Sequence, residues 1–360
     1  MDCLNLTTLS IQDSLTNCGN ATLSKTGLRM RDSDGLRIFK LLCYAIVFLV
    51  GATGNSMVVW LVAKRRLRAR YNYFLANLAI ADLAVVTINL PFRLAYQENR
   101  YQWPFGYALC KFIPPLTYTF TTASSAFLLA VSLERYRAVV HPLRGKVTTK
   151  QLKLTVLAIW VLSFLVTFPL NTYMSTAEKG GKVVCTDAWP TRHLEQVYFV
   201  LLFLIQFAFP LLVMLVVYLK IIVTMRHNQL KSCNHRASMT IRKRNTRVIR
   251  MLLAVVFSYF ICVMPYSTFL VLSVFNREGP VALKTFLVLM ALANSMVNPL
   301  LYGALNRQFR LGYMYAITTL KNNCLRKEEL TLSSIFRPVP LHEAPSPLKR
   351  KTYMVRVRSA

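Results

Sequence analysis

Long apolar runs alternate with short polar segments along most of the chain. A helix needs roughly 20 mostly apolar residues to cross a bilayer, and seven stretches meet this requirement. They are Leu41–Val62, Tyr73–Phe92, Phe112–Leu133, Leu154–Tyr173, Val197–Leu219, Met251–Phe275 and Thr285–Leu305. Six of them contain no Asp, Glu, Lys or Arg, and the second contains only Asp82. The pattern predicts an all-α membrane protein, a seven-transmembrane helix bundle over residues 37–305.

Lys and Arg concentrate in the loops that follow the first, third and fifth stretches and in the tail. The first of these loops reads Lys64-Arg65-Arg66-Leu67-Arg68-Ala69-Arg70. Cytoplasmic loops carry such an excess of basic residues, so we expect a cytoplasmic C-terminus and an extracellular N-terminus. Arg37 and Lys40, which precede the first stretch, run against this orientation, but the other loops outnumber them.

Composition agrees with a membrane protein. Apolar residues make up 54% of the chain and charged residues 16%, whereas soluble domains average roughly 25% charged residues. A net charge of +30 would suggest nucleic-acid binding in a soluble chain, but here membrane topology accounts for it, and we expect no nucleic-acid partner. The eight cysteines include no C-x-x-C pair, so neither a disulfide scaffold nor a zinc site is expected.

The two ends of the chain carry candidate modification sites. Residues 1–36 form the predicted extracellular segment, with glycosylation sequons at Asn5 and Asn20. It has no apolar signal region, so the first stretch is expected to act as its own insertion signal. Residues 306–320 are predicted to form an amphipathic helix. Cys324 after it is either a palmitoylation site or a plain cytosolic thiol.

Residues 321–360 form a predicted disordered, basic cytoplasmic tail. Its hydroxyl residues are candidate phosphorylation sites, and phosphates there would pair with basic groups. They are Thr331, Ser333, Ser334, Ser346, Thr352 and Ser359.

Polar residues, prolines and short motifs recur in order along the seven stretches. They are Gly54-Asn55, Leu78-Ala79-Ile80-Ala81-Asp82, Glu134-Arg135-Tyr136, His141-Pro142-Leu143, Trp160, Pro210, Tyr218, Asn298-Pro299-Leu300-Leu301-Tyr302 and Asn306-Arg307-Gln308-Phe309-Arg310. From about Gly51 to Arg310 this set resembles the rhodopsin-like (class A) G-protein-coupled receptors. The resemblance implies a plasma-membrane receptor that activates heterotrimeric G proteins when its sixth span moves outward.

The resemblance also assigns roles to residues. Those expected to take part in G-protein activation are Glu134, Arg135, Tyr136, Leu143, Tyr218, Pro265, Asn298, Pro299 and Tyr302. Cys110 and Cys185 correspond to the family's extracellular disulfide. The sequence departs from the family pattern at Val263, Tyr259 and Ser125, where a Trp, a Phe and an aliphatic residue are usual. The bulky switch residue of the sixth span is therefore absent.

Asp82 is the one acid within the seven stretches, and ionisable groups at membrane depth are costly. It is either a polar residue satisfied within the helix interface or the centre of an allosteric sodium site. The positions that would complete such a site are Ser124, Asn294, Ser295 and Asn298. No other cofactor is expected.

The expected ligand cavity lies between the extracellular halves of the spans. Thr117 stands where amine receptors carry aspartate, and we expect no acid from any span to face the upper cavity, which argues against an ammonium ligand. Arg93 and Lys284 near the mouth either extend to lipid headgroups or bind a carboxylate or phosphate. Tyr96, Tyr118 and Tyr266 are candidate lining residues.

Several segments resemble the peptide and chemoattractant receptors: Leu90-Pro91-Phe92, Trp103-Pro104-Phe105-Gly106 and Cys110-Lys111-Phe112. Lys179–Cys185 is expected to form a hairpin over the cavity, with Gly180-Gly181 as its turn. An extracellular peptide is therefore the first ligand expectation, and an acidic lipid mediator or nucleotide is the alternative. A transporter is disfavoured because internal repeats are absent. An enzyme is disfavoured because the five histidines are scattered.

Overall fold

The computed structural model describes residues 34–64, 70–142, 147–231, 236–275 and 280–319. Within these ranges, seven helices are long and apolar enough to cross a membrane. They are α1 (Asp34–Ala63), α2 (Tyr71–Glu98), α3 (Gly106–Val140), α4 (Thr149–Tyr173), α5 (Arg192–Phe203 and, after one irregular turn, Phe209–Lys231), α6 (Arg236–Val274) and α7 (Val281–Leu305). A further helix, α8, covers residues 307–319. The predicted seven-helix bundle is confirmed.

Side chains sort between the interior of the bundle and its outer surface. Val58, Leu61 and Phe127 in the interior are fully buried, whereas large apolar residues such as Phe39 and Leu162 are exposed on the outside. A soluble protein rarely exposes so much apolar surface. The outer surface is therefore the one that faces lipid.

Two of the membrane helices contain a π-helical turn, Val85–Asn89 in α2 and Leu204–Ala208 in α5. Such a turn closes its hydrogen bonds over five residues rather than four and occurs frequently at functional sites. The inserted residue rotates the face that the rest of the helix presents. Both turns border the large cavity described below.

Local signals explain two of the helix starts. Thr148 and Gln151 form a capping box at the start of α4, in which Gln151 N donates to Thr148 Oγ1 over 3.2 Å and Thr148 N donates to Gln151 Oε1 over 2.9 Å. Thr191 Oγ1 accepts from Leu194 N over 3.3 Å at the start of α5. Each side chain satisfies a backbone group that the first helical turn leaves unpaired.

An antiparallel hairpin, β1 (Met174–Lys179) and β2 (Lys182–Asp187), follows α4. Its turn residues Gly180 and Gly181 have φ angles of 58° and 72°, which glycine adopts without a steric penalty. A disulfide joins Cys185 of β2 to Cys110 of α3. The predicted hairpin and disulfide are both confirmed. The disulfide holds β2 against the first turns of α3, beside the cavity.

Candidate functional site

A cavity of about 380 Å³ extends from the hairpin into the bundle as far as Asp82. Its wall comes from α2 to α7, from both strands of the hairpin and from Trp103 ahead of α3. The six residues predicted from the sequence to bind a ligand all line it: Arg93, Tyr96, Thr117, Tyr118, Tyr266 and Lys284. The fold therefore brings together side chains that are up to 191 positions apart in the numbering of the chain.

Arg93 presents a donor that lacks an acceptor. Its Nε is buried and makes no hydrogen bond among the described residues, and its guanidinium carbon lies 6.0 Å from the centre of the Tyr96 ring. One turn later, Gln97 Oε1 accepts from Tyr44 OH over 3.0 Å, while Gln97 Nε2 is buried without a partner in the described part of the chain. Arg93 therefore brings a positive charge and an unpaired donor to the cavity, whereas Gln97 lies outside its lining.

Two acidic residues also line the cavity, which corrects one expectation. Asp187 of β2 and Glu195 of α5 line the same cavity. The expectation that no helix contributes an acid is wrong because α5 begins at Arg192, ahead of the Val197 that the apolar pattern predicts. Asp187 Oδ2 accepts from Trp189 Nε1 over 2.6 Å. The mouth of the cavity therefore carries groups of both charges.

Ion pairs between α1 and α2 lie beside this mouth and were not predicted from the sequence. Glu98 accepts from Arg37 Nε over 2.7 Å and pairs with Lys40 Nζ over 2.8 Å. They hold the end of α2, and with it Arg93 and Tyr96, against α1. Arg37 and Lys40 thus have acidic partners in addition to any effect on membrane orientation.

The deep end of the cavity gathers polar side chains around Asp82. Ser295 Oγ and Asn298 Nδ2 donate to Asp82 over 3.1 and 2.7 Å. Ser124 Oγ, Asn294 Oδ1 and Asn298 Oδ1 are buried without a hydrogen bond in the described ranges. Unpaired buried oxygens are costly, and oxygens beside a carboxylate are ligands for a hard cation. Ser295 and Asn298 thus contact Asp82, Ser124 and Asn294 line the same cavity, and oxygen ligands of this kind would fit a cation.

Some of the predicted activation residues, Glu134, Arg135 and Tyr218, lie towards the other end of the bundle. Arg135 Nε donates to Glu134 over 2.7 Å, and its guanidinium carbon lies 3.9 Å above the centre of the Tyr71 ring. Ser132 Oγ donates to Tyr218 OH over 3.0 Å. Arg135 is thus held by its own neighbour and by α2, as the resemblance expects of a resting form.

Other predicted positions lie along α3, α6 and α7, and Pro265 is next to Tyr266 of the cavity wall. The Tyr302 ring lies 5.1 Å from that of Phe309, and the Tyr136 ring lies 5.5 Å from that of His141. Pro265 lies within α6 and Pro299 within α7. Asn5, Asn20, Leu143 and Cys324 lie outside the described residues, as does the tail with its hydroxyl residues.

Comparison with known proteins gives consistent matches. A family model described as 7 transmembrane receptor (rhodopsin family) matches residues 54–302. The Substance-P receptor of Aquarana catesbeiana is 31% identical over 284 residues, which is 76% of this chain and 68% of that receptor. The Homo sapiens Substance-P receptor is 30% identical over 286 residues, or 76% and 69% of the two chains. The Homo sapiens Neuromedin-K receptor is 29% identical over 286 residues, or 76% and 60%.

Proposed function

The chain belongs to the rhodopsin family of seven-transmembrane receptors, and we propose that it binds an extracellular peptide and activates heterotrimeric G proteins. Membership of this family agrees with the prediction of a receptor rather than an enzyme. The similar proteins are receptors named for substance P and neuromedin K. We take from these relatives only the class of ligand, a peptide, and no particular peptide sequence.

The observation that carries the peptide proposal is that the mouth of the cavity has both basic and acidic residues. Arg93 of α2 and Lys284 of α7 line the cavity, and so do Asp187 of β2 and Glu195 of α5. A peptide can present a carboxylate to the basic residues and a basic or amide group to the acidic residues. An acidic lipid or a nucleotide would bring negative charge next to two carboxylates, which is unfavourable in a partly desolvated site.

One observation favours the alternative ligand class. The buried, unpaired Nε of Arg93 suits any carboxylate or phosphate, because guanidinium groups bind both with paired hydrogen bonds. An acidic lipid mediator or a nucleotide is therefore the second candidate. The two ligand classes can be distinguished by the acidic residues Asp187 and Glu195. A peptide is expected to bind them, whereas an acidic lipid or a nucleotide does not need them.

In this function the cavity end faces outward and the Glu134–Arg135 end faces the cytoplasm. The N-terminus is extracellular with glycans on Asn5 and Asn20, and the basic tail is cytoplasmic with Cys324 as the palmitoylation site. Receptor kinases phosphorylate the tail, and arrestin then binds it. The excess of Lys and Arg in the first, third and fifth loops supports this orientation in the plasma membrane.

Activation uses groups at both ends of the bundle. Asp82, Ser124, Asn294, Ser295 and Asn298 would hold a sodium ion in the resting receptor, and the ion would supply a positive charge beside the buried carboxylate. At the cytoplasmic end, Arg135 leaves Glu134 when α6 moves outward around Pro265 and meets the G protein. Tyr218, Pro299 and Tyr302 support the active form, with Leu143 and Tyr136 beside the G-protein surface. The contacts of Asp82 and Arg135 described above support these roles.

The test is guanine-nucleotide exchange on several purified G-protein subtypes, with the receptor reconstituted in lipid nanodiscs. The probes are synthetic substance P, neuromedin K, a panel of other peptides, and a panel of acidic lipids and nucleotides. We expect exchange to be stimulated by at least one peptide. Stimulation by acidic lipids or nucleotides alone would establish the alternative, and no stimulation by any probe would contradict both.

Two variants with a matched control locate the ligand in the cavity. Arg93→Gln and Glu195→Gln should each reduce the potency of an active peptide about tenfold or more, the loss expected when one charge-assisted hydrogen bond is removed. Lys111→Gln is the control, because Lys111 Nζ bonds Tyr107 OH over 3.2 Å and does not line the cavity. An acidic lipid or nucleotide would lose potency with Arg93→Gln and not with Glu195→Gln.

A further inference from the structure

One residue in the cavity wall connects three helices. Gln206 lies in the π-helical turn of α5, and its Nε2 donates to Thr122 Oγ1 over 2.6 Å and to the Tyr118 carbonyl over 3.1 Å, both on α3. Its own backbone carbonyl accepts from Tyr259 OH of α6 over 3.0 Å. The side chain of Gln206 thus holds α3, while its main chain holds α6.

The sequence explains why this carbonyl is available to Tyr259. In a regular α-helix the carbonyl of residue 206 would accept from the N–H of residue 210. Residue 210 is proline, which has no N–H to donate. A buried carbonyl without a donor is costly, and the phenolic hydroxyl of Tyr259 supplies one from another helix. A phenylalanine at position 259 would leave this carbonyl without that bond.

The contact is buried and yet borders the cavity. Gln206 is 7% exposed and Tyr259 is 1% exposed, and both line the cavity, together with Val263 one turn along α6. Position 263 carries a small side chain, so the deep end of a ligand meets the Gln206–Tyr259 contact directly. A ligand group that forms hydrogen bonds there competes for the atoms that join α5 to α6.

We propose that Gln206 and Tyr259 are positioning residues that restrain α6 in the resting receptor and release it when a hydrogen-bonding ligand group reaches the deep end of the cavity. The inference rests on the proposed receptor function and adds the contact through which occupancy reaches α6. A net intramolecular hydrogen bond changes an equilibrium by about three- to tenfold. Loss of the Tyr259 bond should shift the balance towards the outward position of α6 by this factor.

The first experiment measures guanine-nucleotide exchange without ligand in reconstituted receptor. Tyr259→Phe removes the hydroxyl and keeps the ring, and we expect exchange about three- to tenfold faster than in the wild type. Ser258→Ala is the matched control, because the neighbouring Ser258 Oγ donates to Val255 O of its own helix over 2.8 Å and makes no bond to another helix among the described residues. Equal rates in the two variants, or slower exchange in Tyr259→Phe, would overturn the proposal.

A double variant tests whether the two residues act as one unit. Gln206→Met keeps the length of the side chain and removes both hydrogen bonds to α3, so it should also accelerate exchange. Combined with Tyr259→Phe, it should give less than the product of the two single effects, because coupled residues are not additive. If the exchange rate of the double variant rises by the full product of the two single effects, the two contacts act independently, which would contradict the joint restraint.

The second experiment does not depend on a G protein. Nitroxide labels on Lys150→Cys and Arg247→Cys, with the other unpaired cysteines replaced, report the distance from the start of α4 to α6 by electron paramagnetic resonance. We expect Tyr259→Phe to add a population at longer distance without ligand. A shift without exchange on any G protein would uphold the restraint and contradict the proposed function. An unchanged distance in a variant that still unfolds cooperatively would refute the restraint.

Discussion

Asn298 Nδ2 of α7 donates to Asp82 Oδ2 of α2 over 2.7 Å, and Asp82 lines the cavity. Ser295 of α7 reaches the same carboxylate, and its own carbonyl accepts from Asn55 Nδ2 of α1 over 2.8 Å. Three helices are thus joined around one buried acid. An ion pair or a cation is the usual way to compensate such a charge.

If a cation binds here, sodium stabilises the receptor through Asp82. A ligand that binds only the folded state adds RT ln(1 + [L]/Kd), or about 1 kcal/mol when sodium is about fivefold above its dissociation constant. Thermal unfolding in detergent should shift upward in sodium chloride relative to choline chloride at equal ionic strength. Asp82→Asn should abolish the difference. Glu178→Gln, on the exposed hairpin, should keep it, and a retained difference in Asp82→Asn would refute the cation site.

Removing the acid beside Arg135 is expected to raise ligand-free signalling. Glu134→Gln deletes the charge that holds the guanidinium and leaves Arg135 its contact with the Tyr71 ring 3.9 Å away. A charge-assisted hydrogen bond is worth about 1.5–3 kcal/mol, so exchange without ligand should rise about tenfold or more. Glu178→Gln again serves as the control. An unchanged rate would mean that this pair does not restrain the resting form.

Gly54 is expected to tolerate no side chain. A Cβ at this position would lie 2.7 Å from Cγ of Pro299, and the proline ring cannot rotate away. Gly54→Ala should therefore force α1 from α7 and lower stability by about 1–3 kcal/mol. Gly35→Ala, near the start of the same helix, meets nothing within 4 Å and should not destabilise. Thermal unfolding of the two variants makes the comparison, and equal stability would show that α1 shifts freely.

The Cys110–Cys185 disulfide is expected to stabilise the hairpin side of the cavity. The bond closes a loop with a sequence separation of 75, and loss of a native disulfide typically costs about 2–5 kcal/mol. Cys185→Ser should lower the unfolding temperature and reduce ligand potency, because Asp187 lies two residues beyond the bond. Cys43→Ser, which removes an unpaired thiol in α1, should change neither. Unchanged potency would mean that the hairpin is held without the bond.

The seven helices and their order could be predicted because apolar length is a property of the chain alone. The Gly180-Gly181 turn was equally predictable, since both positions require φ angles that glycine favours. The start of α5 was not, because Glu195 is polar and apolar counting stops at Val197. That helix begins earlier because Thr191 caps it and because Glu195 faces a cavity rather than lipid.

Contacts between residues on different helices could not be predicted from the sequence. Pro210 is visible in the sequence and removes one N–H, yet nothing local indicates that Tyr259, 49 positions beyond it, supplies the replacement donor to Gln206. In the same way, the sequence shows Arg37 and Lys40 only as basic residues that bear on membrane orientation. Their ion pairs with Glu98 of α2 become visible only in the tertiary structure.

Membrane crossing, chain order and family motifs thus follow from the sequence, since each depends on residue type at near or regular spacing. The presence of both basic and acidic residues at the mouth of the cavity, the oxygens around Asp82 and the Gln206–Tyr259 contact depend on the tertiary structure. They join groups on different helices, and buried polar atoms take whichever partners the packing of those helices brings within hydrogen-bonding distance.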